Sequence, residues 1–135
     1  PSVTILDPSV EDIHQAEAHG CRGVVGCVDQ LAPPTETYDL IICLQTADHW
    51  RDPLAALRWL RRAGGHLWID IVDMTAFRLA LPQACSWKVD HPLAWTKPAF
   101  ARAVTETGLS VRVVVPQPRR QAPCGYRPVF CCEGV

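Results

Sequence analysis

Two short apolar runs, Tyr38–Leu44 and His66–Val72, stand out because no polar residues alternate within them. A strand covered on both faces needs that pattern, as in a parallel sheet with helices on either side. Between the two runs, Ala56, Leu57 and Leu60 fall on one helical face while Arg51, Arg58 and Arg62 fall on the other. The ends of this helix are readable. Asp52 suits the N-cap, its carboxylate accepting from free backbone N–H groups, and Pro53 fits the first turn, where no donor is needed. Gly64–Gly65 stops the helix and turns the chain into the next strand. The segment is a βαβ unit, and such connections are almost always right-handed.

The flanking patterns extend this alternation. Ser2–Leu6 reads as a strand ending in Asp7. Ser9 starts a helix with Asp12 as the carboxylate of a capping box, and Gly20 ends it. Gly23–Val28 is a weak apolar strand, followed by a loop through Pro33 and Pro34. Beyond the central unit, Met74–Ala84 begins as a helix that Pro82 ends or bends. Cys85–Trp95 reads as loop and carries Trp87, His91 and Trp95. Thr96 caps another helix, with Phe100, Ala103 and Val104 as its apolar face and Gly108 as its stop. Leu109–Val115 is a β-branched strand, Pro116–Pro123 a loop or hairpin tip with Arg119–Arg120, and Arg127–Cys132 a last strand.

The order β-α-β-β-α-β-(α)-α-β-β predicts an α/β fold: a mostly parallel, Rossmann-like sheet with helices on both faces. The short connection between the last two strands makes the final one antiparallel.

Composition narrows the function classes. At 135 residues there is room for one domain with a modest core. A formal net charge of −1 offers no bulk attraction to nucleic acid or to an anionic membrane. No apolar run approaches the ~20 residues that span a bilayer, and Pro1–Pro8 lacks the features of a signal peptide. The seven cysteines include no CxxC pair, so neither a zinc ribbon nor a thioredoxin-type motif is supported and no metal site is expected. They read as reduced thiols in a cytoplasmic protein.

In open α/β sheets, ligands bind beyond the carboxyl ends of the strands. That rule selects Asp7–Ser9, Cys27–Asp29, Leu44–Trp50 and Asp70–Met74. A carboxylate at Asp7 is placed to accept from two ribose hydroxyls, or else caps the helix beginning near Ser9. Both roles stay open on sequence grounds. An imidazole at His49 could deprotonate a hydroxyl acceptor, or Asp48 and His49 support the loop and the helix start. Trp50, Trp87, His91 and Trp95 could wall an acceptor pocket, since flat side chains bury ligand surface well; core and lid roles are the alternative. Arg119–Arg120 could meet an anion or sit solvated at a hairpin tip.

Three segments together resemble the class I S-adenosylmethionine-dependent methyltransferases of the group acting on small molecules and sugars. VTILDPSVEDIHQAEAHG is similar to the family's ribose-binding strand end and following helix. YDLIICLQTADHWRDPLAALRWLRRAGGHLWIDIVD is similar to its fourth strand, helix and fifth strand. HPLAWTKPAFARAVTETGLSVRVV is similar to its late loop, helix and strand. The resemblance implies S-adenosylmethionine as cofactor, with Asp7 on its ribose, Cys27 and Val28 beside the adenine, and Leu44 and Gln45 along the cofactor. Cys27 stands where the family often places Asp. Asp48 and His49 match its Glu-His pair.

The family's opening strand and glycine-rich loop have no counterpart here, and in the usual order that strand lies mid-sheet. Either the strand ending in Asp7 closes directly onto Tyr38–Leu44, or another polypeptide segment fills the position. An N-terminal segment and a second copy in a homodimer are the two candidates. The resemblance therefore implies the C-terminal portion of a methyltransferase acting on a small-molecule acceptor, or a degenerate relative kept as a binding or dimerisation module. A nicotinamide-dependent enzyme would also use Asp7, but it needs a G-x-G-x-x-G turn that is absent and leaves the Asp52–Gly65 unit unexplained.

Overall fold

A computed structural model describes residues 1–74, 92–116 and 128–134. The described elements are β1 (Thr4–Asp7), α1 (Val10–Ala18), β2 (Arg22–Val25), a 3-10 turn (Val28–Gln30), β3 (Tyr38–Cys43), α2 (Pro53–Ala63), β4 (Gly64–Asp70), α3 (Lys97–Glu106), β5 (Leu109–Pro116) and β6 (Pro128–Gly134). Trp87, His91, Arg119, Arg120 and the expected helix beyond Met74 lie outside the described residues.

Local chemistry sets the helix ends. Asp52 accepts from the N–H of Ala55 at 2.9 Å, with Pro53 behind it, and Thr96 Oγ1 accepts from Ala99 at 3.3 Å. Ser9 Oγ accepts from Asp12 at 3.3 Å, but the return bond differs from the expected capping box. The N–H of Ser9 donates to Asp7 Oδ1 at 2.8 Å, so Asp7 takes the place foreseen for Asp12. Gly64 and Gly65 belong to β4 itself: α2 runs straight into the strand, without a separate turn. Between β1 and β2 the pairing ends with the bond from Gly26 N–H to the Asp7 carbonyl, because β1 stops there. The chain expected to continue as strand to Val28 instead coils into the 3-10 turn.

The strands form two ladders. β1 and β2 pair in parallel; the second ladder runs β3-β4-β6-β5, with β3 and β4 parallel and β6 antiparallel to both its neighbours. Direct closure of β1 onto β3 does not occur. What joins the two ladders is side-chain packing, since Leu6 of β1 and Val28 pack into the same cluster as Ile41, Cys43, Leu67 and Ile69.

That cluster lies on one side of the second ladder, beneath α2 and α3. Leu57, Leu60, Phe100, Val104, Leu109 and Phe130 are fully buried in it, and the rings of Phe100 and Phe130 meet edge to face at 4.8 Å. On the far side, α1 covers the β1–β2 pair. Its one buried residue, Ile13, sits where a side chain on Gly23 would be: a Cβ there would stand 2.4 Å from Ile13 Cγ2. Helices thus occupy both sides, but coverage is uneven. Leu40, Ile42 and Trp68 are 47%, 55% and 49% exposed, so the apolar runs of β3 and β4 are covered on one face and bare on the other. Among the described residues no helix is long and apolar enough to cross a membrane.

Candidate functional site

Hydrogen bonds lace the carboxyl ends of β1 to β4 into one rim. The Gly26–Asp7 bond, 3.0 Å, joins the ends of β1 and β2. Asp29, just after β2, accepts from the N–H groups of Arg51 at 2.9 Å and Asp52 at 3.1 Å, which ties that end to the loop after β3. Asp70, the last residue of β4 and 4% exposed, accepts from the N–H of Gln45, two residues beyond the end of β3. Further along, the indole of Trp95 donates to the carbonyl of Ala47 at 2.8 Å, and Leu93 N–H to that of Asp48 at 3.2 Å. Asp73 Oδ1 accepts from Lys97 N–H at 3.1 Å, joining the rim to the start of α3.

Asp7 holds both of its candidate positions at once. It is half-buried at the end of β1, and Oδ1 caps the approach to α1 through Ser9. Oδ2 carries no hydrogen bond among the described residues. Cys27, next in the chain after Gly26, is half-buried, whereas the side chain of Val28 is buried in the core. Any contact of Val28 with a ligand therefore falls to its backbone.

Past β3, the residues Leu44, Gln45 and Thr46 are exposed on the rim. Gln45 has φ +56°, the left-handed region that a side chain other than glycine enters only at a cost. The buried acceptor at Asp70 holds it there. Cys43 immediately precedes this bend. Burial pushes its thiol up to about 12, with Asp70 adding to the effect and a bond from Thr46 opposing it. A thiol so raised stays protonated and is no nucleophile near neutrality. His49 is exposed, on a turn closed by its own N–H donating to the Thr46 carbonyl at 3.0 Å, and Asp48 beneath it is buried.

Trp50 and Trp95 serve the scaffold. Trp50 is 5% exposed and packs within the core. Trp95 is half-buried, stacks edge to face on Phe100 at 5.1 Å and holds the Ala47 carbonyl. It reaches the rim as a brace for the 44–50 loop.

A family model described as a methyltransferase domain matches residues 1–114. The chain belongs to this family.

Solved structures agree with this methyltransferase domain in fold. Magnesium protoporphyrin IX methyltransferase from Synechocystis, crystallised with S-adenosylhomocysteine, superposes with a TM-score of 0.74 at 14% identity, covering 99% of this chain and 64% of that one. An S-adenosylmethionine-dependent methyltransferase from Thermotoga maritima gives 0.77 at 16% identity, covering 98% and 73%. One from Methanosarcina mazei gives 0.75 at 13%, covering 99% and 82%. The chain spans about two thirds of the first of these. No curated protein matches it in sequence.

For a nucleoside-bearing cofactor, the donor and acceptor set of the methyltransferase domain fits at Asp7, whose Oδ2 is open to a ribose hydroxyl. Sequence reasoning selected the four strand ends but missed which carboxylates organise them. Asp29 and Asp70 act on backbone N–H groups 22 to 25 residues away. The one available signal was that Asp70 closes an apolar run and so lands at a strand's carboxyl end.

Proposed function

We propose that this chain is part of an S-adenosylmethionine-dependent methyltransferase, a single domain that transfers a methyl group to a small-molecule acceptor in the cytoplasm. The observation that carries this reading is the common rim: Asp7 and the Leu44–Gln45 bend are linked through Gly26, Asp29, Arg51 and Asp70. Asp7 would accept from a ribose hydroxyl through Oδ2. Cys27 and the Val28 backbone would flank the adenine, and Leu44 and Gln45 would line the remainder. The cofactor, when bound, supplies an electrophilic methyl group on sulfur. Catalysis then rests mainly on holding the two reactants in line. His49, exposed beside the bend, would take the proton from an acceptor hydroxyl.

The bare face of Leu40, Ile42 and Trp68 and the outer edge of β3, which pairs with no strand among the described residues, support a second part of the reading. Exposed strand edges and contiguous apolar surface are costly to leave in water. A further parallel strand, from the same polypeptide or from a second copy, would pair with β3 and extend the site.

Calorimetric titration with S-adenosylhomocysteine tests both parts, using residues 1–135 alone and the polypeptide as encoded. Little or no binding is expected from residues 1–135, and micromolar binding from a form that fills the strand position, lost in Asp7→Ala. Absence of binding in every form overturns the methyltransferase reading. Tight binding by a monomer of residues 1–135 overturns the need for a further strand. In a form that turns over, His49→Ala is expected to lower kcat without unfolding the protein; an unchanged kcat reduces His49 to a supporting role.

A further inference from the structure

The opposite rim of the sheet carries a different kind of surface. α2 ends at Ala63, where β4 begins, and α3 ends just before β5, so their C-terminal ends meet at the amino end of these strands. A cleft of about 420 Å³ opens between them, lined by Arg58, Arg61 and Arg62 from α2 and by Glu106, Thr107 and Gly108 from the end of α3. We propose that this arginine cleft binds a small molecule carrying two or more phosphoryl groups, at a site separate from the rim of Asp7 and Gln45.

Three observations carry the assignment. First, the positive charge is not neutralised. Glu106, the one acidic residue of the lining, is engaged by Arg102 Nε at 2.7 Å, and among the described residues no carboxylate pairs with Arg58, Arg61 or Arg62. Like charges at i,i+3 and i,i+4 on one helix repel. Attraction between cations and the helix C-terminus accounts for Arg61 and Arg62 in the last turn, but Arg58 lies a turn earlier, beyond the reach of that effect.

Second, one guanidinium is already placed. Arg61 Nη1 donates to the carbonyl of Thr107 at 3.4 Å. Its planar group lies against Gly108, where a Cβ would stand 2.9 Å from Cζ. Gly108 also has φ +79°, so that position favours glycine twice over. A guanidinium braced in this way loses less freedom when it grips an anion, and its fork matches phosphoryl oxygens. Arg58 and Arg62, one turn apart, flank it with exposed side chains. Third, the volume lies within the ~300–1,000 Å³ typical of small-molecule pockets and exceeds what a single phosphate needs.

The test uses pyrophosphate as the probe and the polypeptide as encoded, at low ionic strength. Calorimetry is expected to give one site with Kd of about 1 mM or tighter, weakening with added salt. Amide NMR signals of Thr107 and Gly108 should shift on titration. The double variant Arg58→Gln/Arg62→Gln, altered only at exposed positions, should bind about tenfold more weakly or worse, while Arg112→Gln, on β5, should bind like the parent. Citrate, a carboxylate polyanion, should bind more weakly than pyrophosphate. The proposal is overturned by any of four results: no heat and no shift at high pyrophosphate, equal binding by the double variant, equal loss in Arg112→Gln, or citrate binding as tightly as pyrophosphate. Because this readout involves neither the methyl donor nor Asp7, it stands or fails independently of the methyltransferase reading.

Discussion

The carboxylate of Asp29 accepts the backbone N–H of Asp52 at 3.1 Å, and through the same oxygen that of Arg51 at 2.9 Å. Asp52 in turn caps α2. One side chain after β2 therefore fixes where the helix after β3 begins, and with it the height of the 44–50 loop on the rim.

Removing that clamp should be felt as lost stability. Asp29→Ala leaves two N–H groups without their acceptor and is expected to destabilise by about 1–3 kcal/mol, with Asn restoring much of it because its carbonyl oxygen still accepts. Urea denaturation measures both. An alanine variant as stable as the parent would mean that water replaces the clamp at no cost.

The Gln45–Asp70 pair predicts opposite signs for two substitutions. Gln45→Gly removes the left-handed penalty at φ +56° and should leave stability equal or higher by up to about 1 kcal/mol. Asp70→Ala strips a buried acceptor and should cost about 1–3 kcal/mol. Thermal melts of the two variants would separate them. If both destabilise, the strain at Gln45 is not what Asp70 offsets.

Gly23→Ala forces a Cβ to within 2.4 Å of Ile13 Cγ2, against the one buried residue of α1. Overpacking at such a contact typically costs ~1–3 kcal/mol. The loss should appear as faster amide exchange in α1 and β1, with α3 and β6 unaffected. Uniform acceleration across the chain would place α1 in the same cooperative unit as the larger core.

The two raised thiols give a pH dependence. Burial pushes Cys43 and Cys132 each up to about 12 from an ordinary 9.0. The folded protein keeps protons that the unfolded chain releases above pH 9. Stability is therefore fully present below pH 9 and falls as pH rises from 9 toward 12. Denaturation midpoints at pH 8, 9.5 and 10.5 should show this fall, and Cys43→Ala should flatten it. At pH 8 a thiol reagent should leave both cysteines unmodified until the protein unfolds.

Much of the fold was legible because its signals are local. The cap residues Ser9, Asp52 and Thr96 bond within three residues of themselves, and the apolar face of α3 repeats at helical spacing. The candidate site was legible in part: strand ends are places that any α/β sheet marks. Trp50 and Trp95 were not readable as scaffold. An indole in a loop has the same sequence signature whether it faces solvent, a ligand or the carbonyl of Ala47, 48 residues away.

Sequence by itself determined the order of the described strands and helices, where most of them begin and end, and the presence of a carboxylate at the end of β1, since each of these depends on neighbours within a turn or a strand. Only the tertiary structure decided that β1 and β3 stay unpaired, that Leu40, Ile42 and Trp68 face outward, and that Asp29 and Asp70 organise the rim. The carboxylates meet N–H groups that arrive from 22 to 25 residues away, and the other outcomes depend on which elements come to lie against one another. No periodicity along the chain encodes that arrival.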